Sequence, residues 1–316
     1  MAAPTTLQQA ILYFSDYANC HRAVMAVRWP DGTVKCPRCG SENVAYLENA
    51  RVWKCYEKHA RAKFSLKVGT VFEDSPLPLQ KWLPALWLLT NCKNGISSYE
   101  LGRALGVTQK SAWFMLHRLR LALQPKGGGL LGGEVEIDET YIGGKARNMH
   151  KRVRDRRGIS QGTSMAGKVA VMGLLERHSA KGHSTVRLEI IPGRKRHHLR
   201  PSIEKHVALG TNVHTDSFCS YAGLGADYTH NVIDHAEKYV EGNVHTNGCE
   251  NFWSLLKRAL KGTYVSVEPF HLFRYLDEQC FRFNKREWSD LTRFLELLLS
   301  VSGKRLTFKE ATGHAE

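Results

Sequence analysis

Four residues near the N-terminus constrain this chain more tightly than any hydrophobic pattern does. Cys36 and Cys39 stand in Cys-Pro-Arg-Cys-Gly, and Cys55 and His59 stand in Cys-Tyr-Glu-Lys-His. Thiolates two residues apart can face one tetrahedral ion, and the following Gly40 lets the chain turn back. A second ligand pair on a hairpin completes a zinc ribbon. The segment is too short to bury a core, so a Zn²⁺ ion is expected to hold it folded. A redox Cys-x-x-Cys is the competing reading, but no βαβ pattern surrounds the motif. Phe64 to Phe72 alternates like a strand and is expected to finish the ribbon.

Charge narrows the partner. The chain carries 45 Lys+Arg against 30 Asp+Glu, a net +15. That excess favours a polyanion, nucleic acid before membrane. No apolar run reaches membrane-spanning length; Trp82 to Leu89 is the nearest, and Pro84 interrupts it. The first ten residues lack the pattern of a secretion signal. With eight cysteines, this argues for a reducing compartment and against a disulfide framework. Cys20, Cys92, Cys219, Cys249 and Cys280 are read as small buried hydrophobes.

Residues 7–29 read as one or two short helices, and Leu79 to Leu89 as another. Ser97 to Leu105 opens with a Ser-x-x-Glu capping box. Gly106 to Thr108 is a tight turn, and Gln109 to Leu123 a second helix with Trp113, Leu116 and Leu119 on one face. Two such helices form a helix-turn-helix, whose second helix meets the major groove through its N-terminal residues, here Gln109, Lys110 and Ser111. An ordinary helical hairpin has the same pattern. The glycine-rich stretch from Gln124 to Gly133 marks a domain boundary.

Beyond it, Glu134 to Ile142 alternates acid and aliphatic. Val135 and Ile137 share one strand face, and Glu134, Glu136 and Asp138 the other. Acids so close need a positive neighbour, either a divalent metal or nearby Lys and Arg. Glu139 points to the opposite face. The basic run from Lys145 to Arg157, including Arg152 and Arg154, suits a phosphate backbone. Strands follow at 168–175 and 184–191, joined by a turn at 179–182, and make an antiparallel unit with the first. A helix at 197–207 leads to a strand ending on Asp216, and Asn231 to Asp234 reads as a further strand. The helix from Asn247 to Gly262 should bury Phe252, Leu255, Leu256 and Ala259. Glu250 lies in its first turn, where the helix dipole favours a carboxylate, and Lys257 lies two turns on.

Asp138, Asp216 and Glu250 thus come from three elements of a β-β-β-α-β-α order, the order of the ribonuclease H-like fold. The chain resembles the DDE transposases of bacterial insertion sequences, in the ISXO-like branch with an N-terminal zinc ribbon. The resemblance rests on Cys36-Pro-Arg-Cys39, Gly69-Thr-Val-Phe-Glu73, Ile137-Asp-Glu-Thr-Tyr-Ile-Gly-Gly144, Val213-His-Thr-Asp216 and Glu250-Asn-Phe-Trp-Ser-Leu-Leu-Lys257. Arg274 to Glu278 and Phe281 to Arg286 extend it, so that it covers most of residues 30–287. Asp216 and Glu250 stand 33 residues apart, 217 to 249, close to the usual spacing.

The resemblance implies a transposase with Asp138, Asp216 and Glu250 as ligands of Mg²⁺ or Mn²⁺. Two such ions could drive in-line attack on a phosphodiester. Lys257 and Arg258 would contact DNA, as inverted-repeat ends or target, and the protein would act as a homo-oligomer on DNA. Val213-His-Thr-Asp216 is echoed by Val244-His-Thr-Asn247, which makes Asn247 a rival third ligand. Glu250 is preferred because a charged ligand neutralises the metals better.

The expected architecture is multi-domain α+β. A helical segment (1–29), a zinc ribbon (30–75) and a helix-turn-helix domain (76–124) come first. A linker (125–133), a ribonuclease H-like α/β catalytic domain with a mixed sheet (134–290) and a C-terminal helix and tail (291–316) follow. The tail is expected to close the catalytic domain or serve a dimer. A bacterial cytoplasmic, nucleoid-associated location follows. Two other readings use the same features: a DNA-binding regulator with a degenerate catalytic domain, and a ribonuclease H-like nuclease or resolvase.

Overall fold

In the computed structural model the described residues are 3–125, 127–144, 149–156, 167–178, 182–233 and 244–313. They fall into two compact units, Met1–Gln124 with Glu287–Glu316, and Pro125–Arg286. The turn expected at 179–182 lies outside the described residues except for Gly182, as do Lys145, Arg147 and Arg157 of the basic run.

The first unit opens with α1 (Leu7–Ser15) and α2 (Tyr17–Arg28). Asp16 separates them because its side chain accepts from Ala18 N and caps α2. The ribbon sheet is antiparallel: β1 (Val44–Leu47), β2 (Val52–Cys55) and β3 (Lys63–Phe64). The strand expected over 64–72 stops at Phe64. Gly69 has φ +79°, and Thr70 turns back to bond Lys67 O through both its N–H and its hydroxyl, so the segment coils into turns. Leu66, Thr70, Val71 and Phe72 are buried from those turns while Val68 is only partly buried, so the apolar alternation does not become an alternating strand face.

α3 (Leu79–Asn91) runs through Pro84 and is buried along most of its length. α4 (Ser98–Leu105) carries the expected capping box between Ser97 and Glu100 and ends on Gly106 at φ +60°. α5 (Gln109–Leu123) starts at Thr108, whose side chain accepts from Ser111 N. Its buried face holds Ala112, Met115, Leu116, Leu119 and Ala122. Trp113, expected on that face, is only half-buried, its ring beside His117.

The second unit is built on one five-stranded sheet. Its elements are β4 (Glu134–Ile142), α6 (Lys151–Arg156), β5 (Val169–Glu176), β6 (Thr185–Ile191), α7 (Arg196–His206), β7 (Asn212–Asp216) and β8 (Thr229–Ile233). α8 (Asn247–Gly262) and α9 (Leu272–Asn284) complete it. The strand order is β6-β5-β4-β7-β8. β4, β5 and β6 pair antiparallel, as expected, while β7 and β8 join parallel to β4.

Both sheet faces are covered. On one, Leu199 and Ile203 of α7 pack with Tyr221 and Leu224 over Val135, Ile137, Met172 and Val213. On the other, Cys249, Phe252, Trp253 and Leu256 of α8, with Leu272 and Leu276 of α9, pack over Val171, Leu175 and Val186. Of the apolar positions expected to be buried on α8, Leu255 is exposed, and Trp253 and Cys249 take its place against the sheet.

The C-terminal segment belongs to the first unit, which corrects the expectation that it closes the catalytic domain. α10 (Asp290–Leu299) places Phe294 between Phe14 and Trp87, with ring centroids 5.2 and 5.3 Å away. Beyond it, Arg118 of α5 donates to Leu306 O, just before α11 (Phe308–Thr312). Phe294, Leu297 and Leu298 find a matching apolar surface on α3, and burying it holds the segment there. Among the described residues, no helix is long and apolar enough to cross a membrane.

Candidate functional site

Cys36, Cys39, Cys55 and His59 converge as their spacing predicts, with all four ligand atoms within 4.8 Å of one another. The knuckle is closed by Gly40 N donating to Cys36 O, with Gly40 at φ +76°. Cys39 Sγ and Cys55 Sγ are 3.7 Å apart, and Cys36 Sγ and His59 Nε2 are 3.5 Å apart. A tetrahedral zinc with ~2.3 Å bonds to sulfur and ~2.05 Å to nitrogen spaces its ligands by about 3.8 and 3.5 Å, so the donor set fits that ion. His59 Nδ1 lies 2.8 Å from Ala60 O, which leaves Nε2 as the ligand atom.

Burial alone would raise the Cys36 thiol, but N–H bonds from Arg38 and Cys39 together with the neighbouring thiols of Cys39 and Cys55 outweigh it and bring the thiol to about 7. Burial pushes Cys55 up to about 11, so metal binding must displace its proton. The ribbon does not stand without a core. Trp53 stacks on Phe64 and on His21 of α2, and it meets Trp29 and Tyr46.

In the second unit, strand register assembles the acidic residues. Glu136 pairs with His214 across the parallel β4–β7 ladder. Asp138, in the middle of β4, and Asp216, the last residue of β7, lie two residues further along each strand, so they face the same side of the sheet. Trp253 of α8 donates Nε1–H to Asp138 Oδ2 at 2.9 Å, and Glu139 N donates to Oδ1 at 2.8 Å. Phe218 N donates to Asp216 Oδ1 at 3.2 Å. Burial pushes the Asp138 carboxyl above its ordinary value, and the charge of Asp216 adds to the rise.

Gly173 stands opposite Asp138 in the β4–β5 register. The Trp253 ring occupies the space a side chain would fill there, and that is how it reaches Asp138.

The acids further down β4 are satisfied without a metal. Glu136 is 1% exposed and receives Arg177 Nε at 2.6 Å, while Arg177 Nη1 reaches Glu134 at 3.4 Å. Arg177 also donates to His245 O at 2.6 Å. The other oxygen of Glu136 accepts from Cys249 N at 2.9 Å, which ties the first turn of α8 to the sheet. Gly248 is required there, because a Cβ would sit 2.8 Å from Glu136 Oε2.

α8 therefore carries Glu250 in its first turn, next to the anchored Cys249 and one turn before Trp253. Glu250 and Asn247 are both exposed. Register brings Asp138 and Asp216 together. Among the described residues, the three carboxylates do not gather within 4.8 Å as the thiolate cluster does. Glu139 faces the opposite side, as expected, where it meets Tyr221 and Arg194. As hard oxygen donors on adjacent strands, Asp138 and Asp216 suit a divalent cation.

Gln109 and Lys110 are exposed at the start of α5, and Ser111 is half-buried. Each also has an internal contact: Gln109 with Ser98, Lys110 over the Phe308 ring, and Ser111 with Thr108. Arg152, Lys257 and Arg258 are exposed and Arg154 is half-buried. Sequence reasoning missed Trp253, Arg177, Arg194 and Tyr221. Each acts on a residue distant in the chain, so no local spacing marks it.

Residues 130–284 match the family model described as the ISXO2-like transposase domain. Residues 15–59 match that of the transposase zinc-ribbon domain, which takes in α2 as well as the four ligands. The chain is also similar to an uncharacterized protein in transposable element ISH50 of Halobacterium salinarum. Identity is 31% over 244 residues, covering 74% of this chain and 80% of that relative.

Proposed function

The chain belongs to the family of ISXO2-like transposases with an N-terminal zinc ribbon, and from that premise we propose that it binds the ends of its insertion sequence and cuts and joins DNA strands there. The observation that carries this reading is the placement of Asp138 and Asp216 on the adjacent strands β4 and β7, each two residues beyond the paired Glu136 and His214, with the helix that bears Glu250 tied to Asp138 through Trp253. Counted along the second unit, the strand order is 3-2-1-4-5, with the second strand antiparallel. That order supports a ribonuclease H-like catalytic domain.

Asp138, Asp216 and Glu250 would hold Mg²⁺ or Mn²⁺, and the bound ions would supply Lewis acidity toward a phosphodiester. The chain's own residues prepare the site. Trp253 and Glu139 N fix the Asp138 carboxylate, and Phe218 N fixes that of Asp216. The Glu136 anchor sets the first turn of α8 and so the starting point of Glu250. Glu250 is the third ligand in this reading, as the charged alternative to Asn247.

Lys257 and Arg258, exposed two turns up α8, would meet DNA phosphates. In the first unit, α4 and α5 would act as a helix-turn-helix, with Gln109, Lys110 and Ser111 nearest the groove. Zn²⁺ at Cys36, Cys39, Cys55 and His59 has a structural role, which the closed four-ligand set supports. The active form would be a homo-oligomer pairing two DNA ends at the nucleoid.

Cleavage and strand-transfer assays on end-containing DNA test this. Asp138→Asn, Asp216→Asn and Glu250→Gln should abolish both reactions while end binding survives. An active Glu250→Gln beside an inactive Asn247→Ala would transfer the third ligand to Asn247. Full activity of Asp138→Asn would refute the reading.

A further inference from the structure

Glu139 has no part in the metal site proposed above, yet its side chain is fully buried. A buried carboxylate needs compensation, and two groups provide it. The Tyr221 hydroxyl donates to Oε1, and Arg194 Nε donates to Oε2 at 2.6 Å. Arg194 lies in the loop between β6 and α7. Its guanidinium also lies over the Phe218 ring, 4.1 Å from the centroid, so its plane is set by two contacts.

The same guanidinium reaches the metal site. Arg194 Nη2 lies 3.3 Å from Asp216 Oδ2. Arg194 is thus shared between a buried anchor, Glu139, and a partly exposed acid, Asp216, whose side chain is 30% accessible. The two ends differ in kind. The Glu139 contact is short and shielded, whereas the Asp216 contact is long and open to solvent, and so is the weaker of the two. A guanidinium has five N–H donors; Glu139 and Asp216 are its only carboxylate partners among the described residues.

We infer that Arg194 is an exchangeable counter-ion of the carboxylate pair and a phosphate-binding residue. Without metal, Nη2 neutralises Asp216. When a divalent cation takes that carboxylate, Arg194 keeps Glu139 and Phe218 and turns its Nη donors toward a non-bridging oxygen of the DNA phosphodiester. The inference rests on the reading of Asp138 and Asp216 as metal ligands. It adds a consequence that a merely structural arginine would not have: Arg194 competes with the metal while assisting the substrate.

Removing Arg194 should therefore move two measurements in opposite directions. Mn²⁺ binding to the zinc-loaded full chain is followed by electron paramagnetic resonance, with Asp216→Asn as the control that loses binding. Arg194→Gln should bind Mn²⁺ tighter, by roughly five-fold, the equivalent of one partly exposed ion pair. Its strand cleavage should fall at least ten-fold. Arg194→Lys, which keeps the charge without the planar fork, should bind Mn²⁺ like the wild type and cleave at an intermediate rate.

Arg194→Gln leaves Glu139 unpaired, so thermal unfolding is measured alongside. Should that variant not fold, the Glu139→Gln/Arg194→Gln pair is compared with Glu139→Gln alone, and the same tighter binding is expected. Equal or weaker Mn²⁺ binding on removal of Arg194 overturns the inference and leaves the metal site standing. No Mn²⁺ bound by the wild type overturns both.

Discussion

Replacing Gly173 with alanine tests the packing that places Trp253 on Asp138. The added Cβ would sit 2.6 Å from Trp253 Cζ2 and 2.8 Å from Cη2. Carbon atoms pack at about 3.5–4.0 Å, so the ring must retreat by about 1 Å. Trp253 is 5% exposed and wedged among Cys249, Phe252 and Leu256, so the retreat strains its neighbours. Overpacking of this kind costs about 1–3 kcal/mol.

The same movement would stretch the 2.9 Å bond from Trp253 Nε1 to Asp138 beyond hydrogen-bond range. Losing a bond to a charged group adds about 1.5–3 kcal/mol. Alanine offsets about 0.5–1 kcal/mol by restricting the unfolded chain. The net destabilisation is about 2–5 kcal/mol, read by denaturant unfolding with linear extrapolation. Because the cost arises at the ring, it should largely vanish in a Trp253→Leu background. An equal cost in both backgrounds, or a Gly173→Ala variant as stable as the wild type, would refute the argument.

Two further outcomes follow from the metal cluster and the buried histidines. Stripping zinc with a chelator, or Cys36→Ser, should unfold the ribbon and expose Trp53, because the metal supplies about 10–16 kcal/mol of apparent binding energy in such small modules; an unchanged fluorescence and circular dichroism after complete zinc loss would contradict this. Burial lowers His21, His206, His214 and His230 below their ordinary value of about 6.5. The unfolded chain then binds more protons than the folded one below that pH. Stability from these groups is complete above about 6.5 and is lost as pH falls below it. Melting temperature should decline from pH 7 toward pH 5, less steeply in His214→Gln. Asp138 and Glu139, raised by burial, act in the opposite sense nearer the ordinary carboxylate range of about 4.

The features legible in the sequence are those decided within a turn or a hairpin. Cys36 and Cys39 share a knuckle, and Cys55 and His59 a neighbouring one, so their spacing alone predicted a cluster whose ligand atoms meet within 4.8 Å. Ser97, Glu100, Gly106 and Thr108 bound α4 and α5 through local caps, and Asn247 and Gly262 bound α8. Alternation marked β4 and placed Glu136 and Asp138 on one face. Alternation also misled at 64–72, where turns rather than a strand bury Leu66, Thr70, Val71 and Phe72.

What the acids on β4 meet was not legible. Glu136 is answered by Arg177 and Cys249 N, 41 and 113 residues away. Asp138 is answered by Trp253, 115 residues away. The C-terminal helix settles on α3, with Asn91 bonded to Asp290 across 199 residues. The ligand cluster, the caps and the alternating acids can be read from the residues alone, because they depend on bond geometry and on periods of 2 and 3.6 residues. Which arginine answers each carboxylate, and which two carboxylates come to lie on adjacent strands, was settled by long-range packing. That outcome depends on sheet register and on helix α8 docking across Gly173, where one missing side chain lets an indole reach an aspartate.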